Sequence, residues 1–203
     1  MSMSQDDQQK IGAAIRAAEA RTSGEIVCVL ARSASDYSYV PLIWAALAAL
    51  CVPWPLIVFT QWPVQWIYAT QLVAFIGLSL LLSLPDLRML LVPRNVQRLR
   101  AHRAATEQFM IRGISRTRAR TGILIFVSLA ERYARIIADT GIAEKVPQAV
   151  WQNAVDLLVA ECRRDAAAAG FVAAVALCGE VLAQNFPHGT ENANELPDQL
   201  YLI

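Results

Sequence analysis

No aspartate, glutamate, lysine, arginine or histidine occurs anywhere between residues 37 and 85 of this 203-residue chain. A stretch of that length without charge is rare in the core of a water-soluble protein and is the ordinary composition of a membrane segment. Inside it lie two apolar runs, 40–60 and 66–84, separated by the polar break Gln61-Trp62-Pro63-Val64-Gln65. Each run is about the ~20 residues that a helix rising ~1.5 Å per residue needs to cross ~30 Å of hydrocarbon. A backbone in lipid must satisfy its own hydrogen bonds, so two runs joined this tightly predict a two-helix transmembrane hairpin with both ends on one side. Pro53 and Pro55 each remove an amide donor from the first run, which predicts a kink or an early end there.

Other scarcities narrow the chemistry. His102 and His188 are the only histidines, and Cys28, Cys51, Cys162 and Cys178 are scattered without paired spacing, so neither a His/Cys zinc site nor a disulfide framework is expected. The chain has no GxxxxGK phosphate loop, no Cys-x5-Arg thiolate loop, no GxSxG elbow and no HExxH, which removes the common phosphoryl- and acyl-transfer signatures. The amino terminus, MSMSQDDQQK, lacks the apolar core of a cleaved signal peptide, so the first polar segment is expected to stay inside the cell.

What is present is charge asymmetry. The formal net charge is only +1, yet residues 88–120 carry nine arginines against one acid, Glu107, while from Glu180 onward there are four acids and no Lys or Arg. The positive-inside bias therefore predicts two spans with both termini cytoplasmic. A basic segment directly after a membrane helix suits anionic headgroups, so the lipid bilayer, with membrane proteins beside it, is the expected partner and nucleic acid is not.

Along the polar parts, helical spacing of Ile11, Ala14, Ile15 and Ala18 predicts a first helix, stopped by Thr22-Ser23-Gly24. Residues 25–31 (EIVCVLA) predict an interior strand. A second helix is expected over about 94–112, closed by Gly113. Residues 121–129 (TGILIFVSL) read as a strand buried on both faces, and 133–139 as its antiparallel partner across the turn Ala130-Glu131-Arg132. Pro147 opens a third helix. The apolar stretch 171–183 reads as a buried core helix, because its uncharged part is shorter than a span requires. The tail after 185 reads as extended without periodicity. This order predicts an α/β/α sandwich with a mixed central sheet, interrupted by the hairpin. The organisation is then 1–36 as the first part of the domain, 37–85 as the hairpin, and 86–203 as a basic juxtamembrane segment and the rest of the domain.

Two patterns invite chemistry. Glu25, Asp36, Glu131 and Asp139 fall at predicted strand ends, where oxygen ligands could gather calcium or another divalent cation; as separate solvated carboxylates they need no ligand. Asp139-Thr140-Gly141 has the form of an aspartic-protease loop, but it equally turns a chain out of a strand. Arg135, on an otherwise apolar strand, can bind a phosphate or pair with a carboxylate. Trp151 reads as core.

The segments Glu19-Ala20-Arg21-Thr22-Ser23-Gly24-Glu25-Ile26-Val27, Arg120-Thr121-Gly122-Ile123-Leu124-Ile125-Phe126-Val127-Ser128 and Arg135-Ile136-Ile137-Ala138-Asp139-Thr140-Gly141-Ile142, with Trp151, resemble the TPM domain family of the thylakoid-lumen phosphatase and photosystem II repair type. The similarity covers about 5–35 and 96–187. The ending, with Asn192, Asn194 and Glu195-Leu196-Pro197, resembles a bacterial membrane subgroup of unknown function. The resemblance implies an α/β/α sandwich, calcium binding and, for some members, acid phosphatase activity. The family's usual exported layout, behind a signal peptide, is not the one expected here. The expectation is thus a membrane-anchored TPM-like module for interaction or quality control at the cytoplasmic face of a bacterial inner membrane. The alternative is a metal-dependent, acid-type phosphatase with a cleft formed by Glu25, Arg135, Asp139 and Trp151.

Overall fold

The computed structural model describes residues 3–188 and 194–203, and the side chains of Pro85 and Asp86 are not described. The chain divides into two compact units, Met1–Ala34 with Arg100–Ile203, and Ser35–Leu99.

The first unit is built on a four-stranded sheet. The two apolar heptapeptides form its centre: β1 (Glu25–Ala31) and β2 (Gly122–Ser128) are buried at every position and pair in parallel from Glu25↔Gly122 to Ala31↔Ser128. The strand β3 (Tyr133–Ala138) pairs antiparallel with β2, as a short turn allows, and forms one edge. Side chains alternate across β1, so Ile26, Cys28 and Leu30 face one core cluster while Val27, Val29 and Ala31 face another. The first cluster is filled by α1 (Gln5–Glu19), α8 (Gln152–Arg163) and α9 (Ala167–Asn185), through residues such as Ile11, Ile15, Leu158, Phe171 and Val175. The second is covered by Ala105 and Phe109 of α6 (Arg94–Ile111). A helix layer on each face of a mixed sheet is the sandwich expected from the element order.

Local chemistry sets the ends. Ser4 and Asp7 exchange hydrogen bonds as a capping box at the start of α1. Gly113, with φ of 70°, takes the left-handed turn that ends α6, a conformation costly for residues with a Cβ. Because β1 and β2 are parallel they require a long crossover, and the second unit lies within that connection.

The second unit contains α2 (Tyr39–Cys51), α3 (Pro53–Phe59), α4 (Val64–Leu82) and α5 (Pro85–Leu91), and ends within the first turns of α6. The prolines at 53 and 55 fall where α2 gives way to α3, as the missing amides require. In α2 and α4 the buried positions are few, Pro41, Ala45, Ala49 and Ile67, while Trp54, Phe59, Val73 and Leu80 are each between 69% and 84% exposed.

Among the described residues, three helices are long and apolar enough to cross a membrane: Tyr39–Phe59, Val64–Leu82 and Ala167–Asn185. The sequence expectation counted two. The third meets the criterion because its charged residue, Glu180, is isolated; its Phe171, Ala174, Val175 and Leu182 are nevertheless fully buried in the sandwich core. The sequence reading took the tail as extended without periodicity and assigned it no strand. Instead β4 (Leu200–Leu202) adds a fourth strand, parallel to β1, from Cys28↔Leu200 to Leu30↔Leu202. The helix expected to start at Pro147 begins with a 3-10 turn, Gln148–Trp151.

Candidate functional site

The sheet sorts the predicted site residues by strand end. At the N-terminal end of β1, Glu25 is 4% exposed, and its carboxylate accepts the amides of Glu195 (3.3 Å) and Leu196 (3.1 Å). Burial pushes its pKa up against those two amides, which pull it down. Its visible work is to tie the tail to the sheet. Beside it lies a pair that sequence reasoning missed. Burial, with the Asp198 carboxylate nearby, pushes the Glu19 pKa up to about 9; its Oε1 accepts the Ile26 amide at 2.7 Å, and its Oε2 is buried without a hydrogen-bond partner. At neutral pH Glu19 therefore holds a proton. No local pattern could have signalled this, because the partners are joined only by the pairing of β4. Asn194 donates to Asp198 at 2.7 Å, whereas Asn192 lies outside the described residues.

Asp139 follows the last residue of β3, and its amide donates to Gly122 O at 2.9 Å. Since Glu25 pairs with Gly122 on the other side, the two acids flank one strand at roughly 10 Å, two strand spacings. Asp139 caps the single-turn helix α7 (Thr140–Ala143): Oδ1 accepts the Thr140 amide at 2.6 Å, while Oδ2 is buried without a hydrogen-bond partner. The glycine of the Asp-Thr-Gly sequence is required by packing, since a Cβ at Gly141 would lie 2.7 Å from the carbonyl oxygens of Ala119 and Arg120.

Glu131 lies at the opposite end of β1 and β2, about 20 Å from Glu25 along a seven-residue strand. Its carboxylate accepts the hydroxyls of Ser33 and Ser128 and the amide of Ala34, clamping the loops that leave the two central strands. Asp36 belongs to the second unit, where it is exposed, caps Ser38 at 3.0 Å and lies 3.8 Å from Arg88. The structure thus gathers Glu25 and Asp139 at one strand end and leaves Glu131 at the other. Among the described residues no group of three or more His, Cys, Asp or Glu is arranged to hold a metal ion.

The other two cleft candidates lie elsewhere. Trp151 is 1% exposed in the core facing α8 and α9, with Nε1 unpartnered. Arg135 projects from β3 toward the α6 side, four residues before Asp139, which is about 13 Å along a strand. Its Nη1 lies 3.2 Å from Nδ1 of His102 on α6, and the Tyr133 hydroxyl lies 3.4 Å from the same nitrogen. Sequence reasoning used His102 only to exclude zinc; the nearness of a lone histidine to a strand thirty residues away has no periodic signal.

These features define a three-layer α/β sandwich with an apolar helical insertion, carrying acids at the strand ends and a half-buried Arg135–His102–Tyr133 cluster on one edge. Residues 85–181, just under half of the chain, match the model of the TPM domain family, so the chain carries a TPM domain over this segment. The match includes β2, β3, Arg135 and Asp139, and it excludes α1, β1 and β4. The chain is also similar to the NMR structure of the BA42 protein from the psychrophilic bacterium Bizionia argentinensis, with a TM-score of 0.63 and 18% identity over 100% of this chain and 97% of that one. At that identity the likeness speaks to the fold. No curated protein matches.

Proposed function

We propose that this protein is a membrane-anchored TPM-domain module that meets its partners at the cytoplasmic face of a bacterial inner membrane and serves interaction or quality control there. The observation that carries this reading is the pair of helices Tyr39–Phe59 and Val64–Leu82, with mean hydropathies of 2.2 and 1.5 and only 11% and 6% of their most apolar stretches buried. Apolar side chains turned outward over two helix lengths need a nonaqueous neighbour. In this reading the two helices span the bilayer, α9 stays in the sandwich core, and the nine arginines of 88–120 hold that flank and both termini inside. The sandwich acts as a surface for other proteins because its strand-end acids are largely consumed by internal hydrogen bonds. A reporter fused after Ile203 should register a cytoplasmic position, and pull-down from detergent-solubilised membranes should recover a reproducible partner. An external reporter, or no reproducible partner, contradicts the reading.

A metal-dependent phosphatase is the second reading, and one observation favours it: the unpartnered, buried Oδ2 of Asp139 near Glu25 is an oxygen available to calcium or another divalent cation. Divalent-dependent turnover of a generic phosphate ester, abolished by Asp139→Ala with folding intact, selects this reading. Absence of turnover across divalent ions removes it.

A further inference from the structure

Beside the contact of α2 with α4 runs a groove of about 520 Å³, wholly within the second unit. Its walls include Ala46, Ala49 and Leu50 of α2 and Tyr68, Gln71 and Phe75 of α4. Both sets recur at three and four residues, so each lies on one face of its helix. The alanines keep the floor low, and Leu50 and Tyr68 stand exposed at the rim.

Gln71 is the residue that hydrocarbon cannot serve. Thr60, Thr70 and Ser83 each turn a hydroxyl back onto the carbonyl four residues earlier, of Leu56, Trp66 and Ser79. The Gln71 amide makes no such bond and, among the described residues, has no hydrogen-bond partner. It is the eighth residue of α4, so seven rises of ~1.5 Å set it about 10 Å in from the N-terminal end of that helix. If α4 crosses a bilayer, that depth lies in hydrocarbon, where an unpartnered amide is costly. An acyl chain can fill the groove but offers no hydrogen bond. A second copy, inserted the same way round, carries its own Gln71 at the same depth, and an amide holds both a donor and an acceptor. Two such amides therefore satisfy each other across a twofold axis along the membrane normal.

We infer that this face of the α2 and α4 pair docks on the same face of a second copy of the chain, joined inside the membrane by reciprocal Gln71 amide hydrogen bonds. The rings of Tyr68 and Phe75, about one turn to either side of Gln71, then fill the groove over the partner's alanines. The inference rests on the membrane reading of the two spans and adds to it the occupant of this groove.

The test reconstitutes the full chain, as donor- and acceptor-labelled amino-terminal fusions, into phosphatidylcholine vesicles over falling protein-to-lipid ratios and reads energy transfer in the floated fraction. Wild type should show transfer above that of random proximity, suppressed by unlabelled copies. Gln71→Leu, similar in size but without hydrogen-bonding groups, should weaken the association about 3- to 20-fold, the span of interhelical hydrogen bonds in membranes. Ala46→Phe fills the groove and should abolish the transfer. Val73→Ala, on the opposite side of α4, should leave it unchanged, with the circular dichroism of all three variants like that of wild type. Transfer no greater than random proximity in floated vesicles assigns the groove to lipid or to a different protein and overturns the inference. Equal transfer by wild type, Gln71→Leu and Ala46→Phe overturns it as well. Protein that does not float with the vesicles overturns the membrane reading and the pairing with it, so the two failures are distinct results.

Discussion

The two units of this chain use apolar residues in opposite ways. In the sandwich, Ile11, Ile125, Phe126, Phe171 and Val175 have no exposed surface, and the charged residues lie outside or are tied by hydrogen bonds. In the helices Tyr39–Phe59 and Val64–Leu82 most large side chains point outward, with Phe59 84% and Trp54 77% exposed, while the buried positions are Pro41, Ala45, Ala49 and Ile67. Water drives the first arrangement, since burying a large apolar side chain is worth about 1.5–3 kcal/mol. The second has no such drive in water. It is the arrangement expected where the surroundings are as apolar as the side chains and small residues let helices approach. One chain thus carries two hydrophobic patterns suited to two solvents.

Substitutions can break the comparison, and the largest effect should come from the sandwich. Phe171→Ala empties a fully buried site and should destabilise the first unit by about 3–5 kcal/mol, read by denaturant unfolding in detergent. Val73→Arg, at a position 69% exposed, would be nearly neutral if that surface met water; in a bilayer it should cost about 2.5–3.5 kcal/mol and reduce the membrane-integrated fraction. Glu131→Gln keeps the shape of the strand-end clamp but replaces one acceptor oxygen by a donor facing Ser33, Ser128 and Ala34. It should cost about 1–3 kcal/mol, measured as a lowered unfolding midpoint.

The smallest effect sharpens the picture of the strand-end acids. Glu19 has a pKa of about 9 in the fold against an ordinary value of 4.5. Between those two values the folded chain holds a proton that the unfolded chain has released. This group's contribution to stability is therefore full below the lower value and declines as pH rises through the window. Glu19→Gln retains an acceptor for Ile26 and has no proton to lose, so it should flatten that decline and raise the thermal midpoint at pH 8 relative to wild type. Parallel pH profiles for the two proteins would contradict the raised pKa of Glu19.

How far these features could be read in advance follows from their range along the chain. The strands β1 and β2 announced themselves because EIVCVLA and GILIFVS are continuous apolar runs, and β3 because it follows β2 across a short turn. The tail strand did not, since Leu200–Leu202 is too short for alternation and is stabilised by β1, far upstream. The length of α9 was visible, but whether its apolar face meets protein or lipid depends on α1 and α8, which no window on 167–185 contains. Among the site residues, the acids at strand ends were legible as turn chemistry. Their partners were not: Glu19 finds Asp198, and Arg135 finds His102, through sheet pairing and helix packing.

The central claim is that the outward apolar face of Tyr39–Phe59 and Val64–Leu82 meets lipid. Membranes from cells producing the full chain, washed with alkaline carbonate and then extracted with detergent, test it most directly. The protein should stay in the carbonate-washed pellet and leave it only with detergent; recovery of folded protein in the soluble fraction before any detergent is added would contradict it.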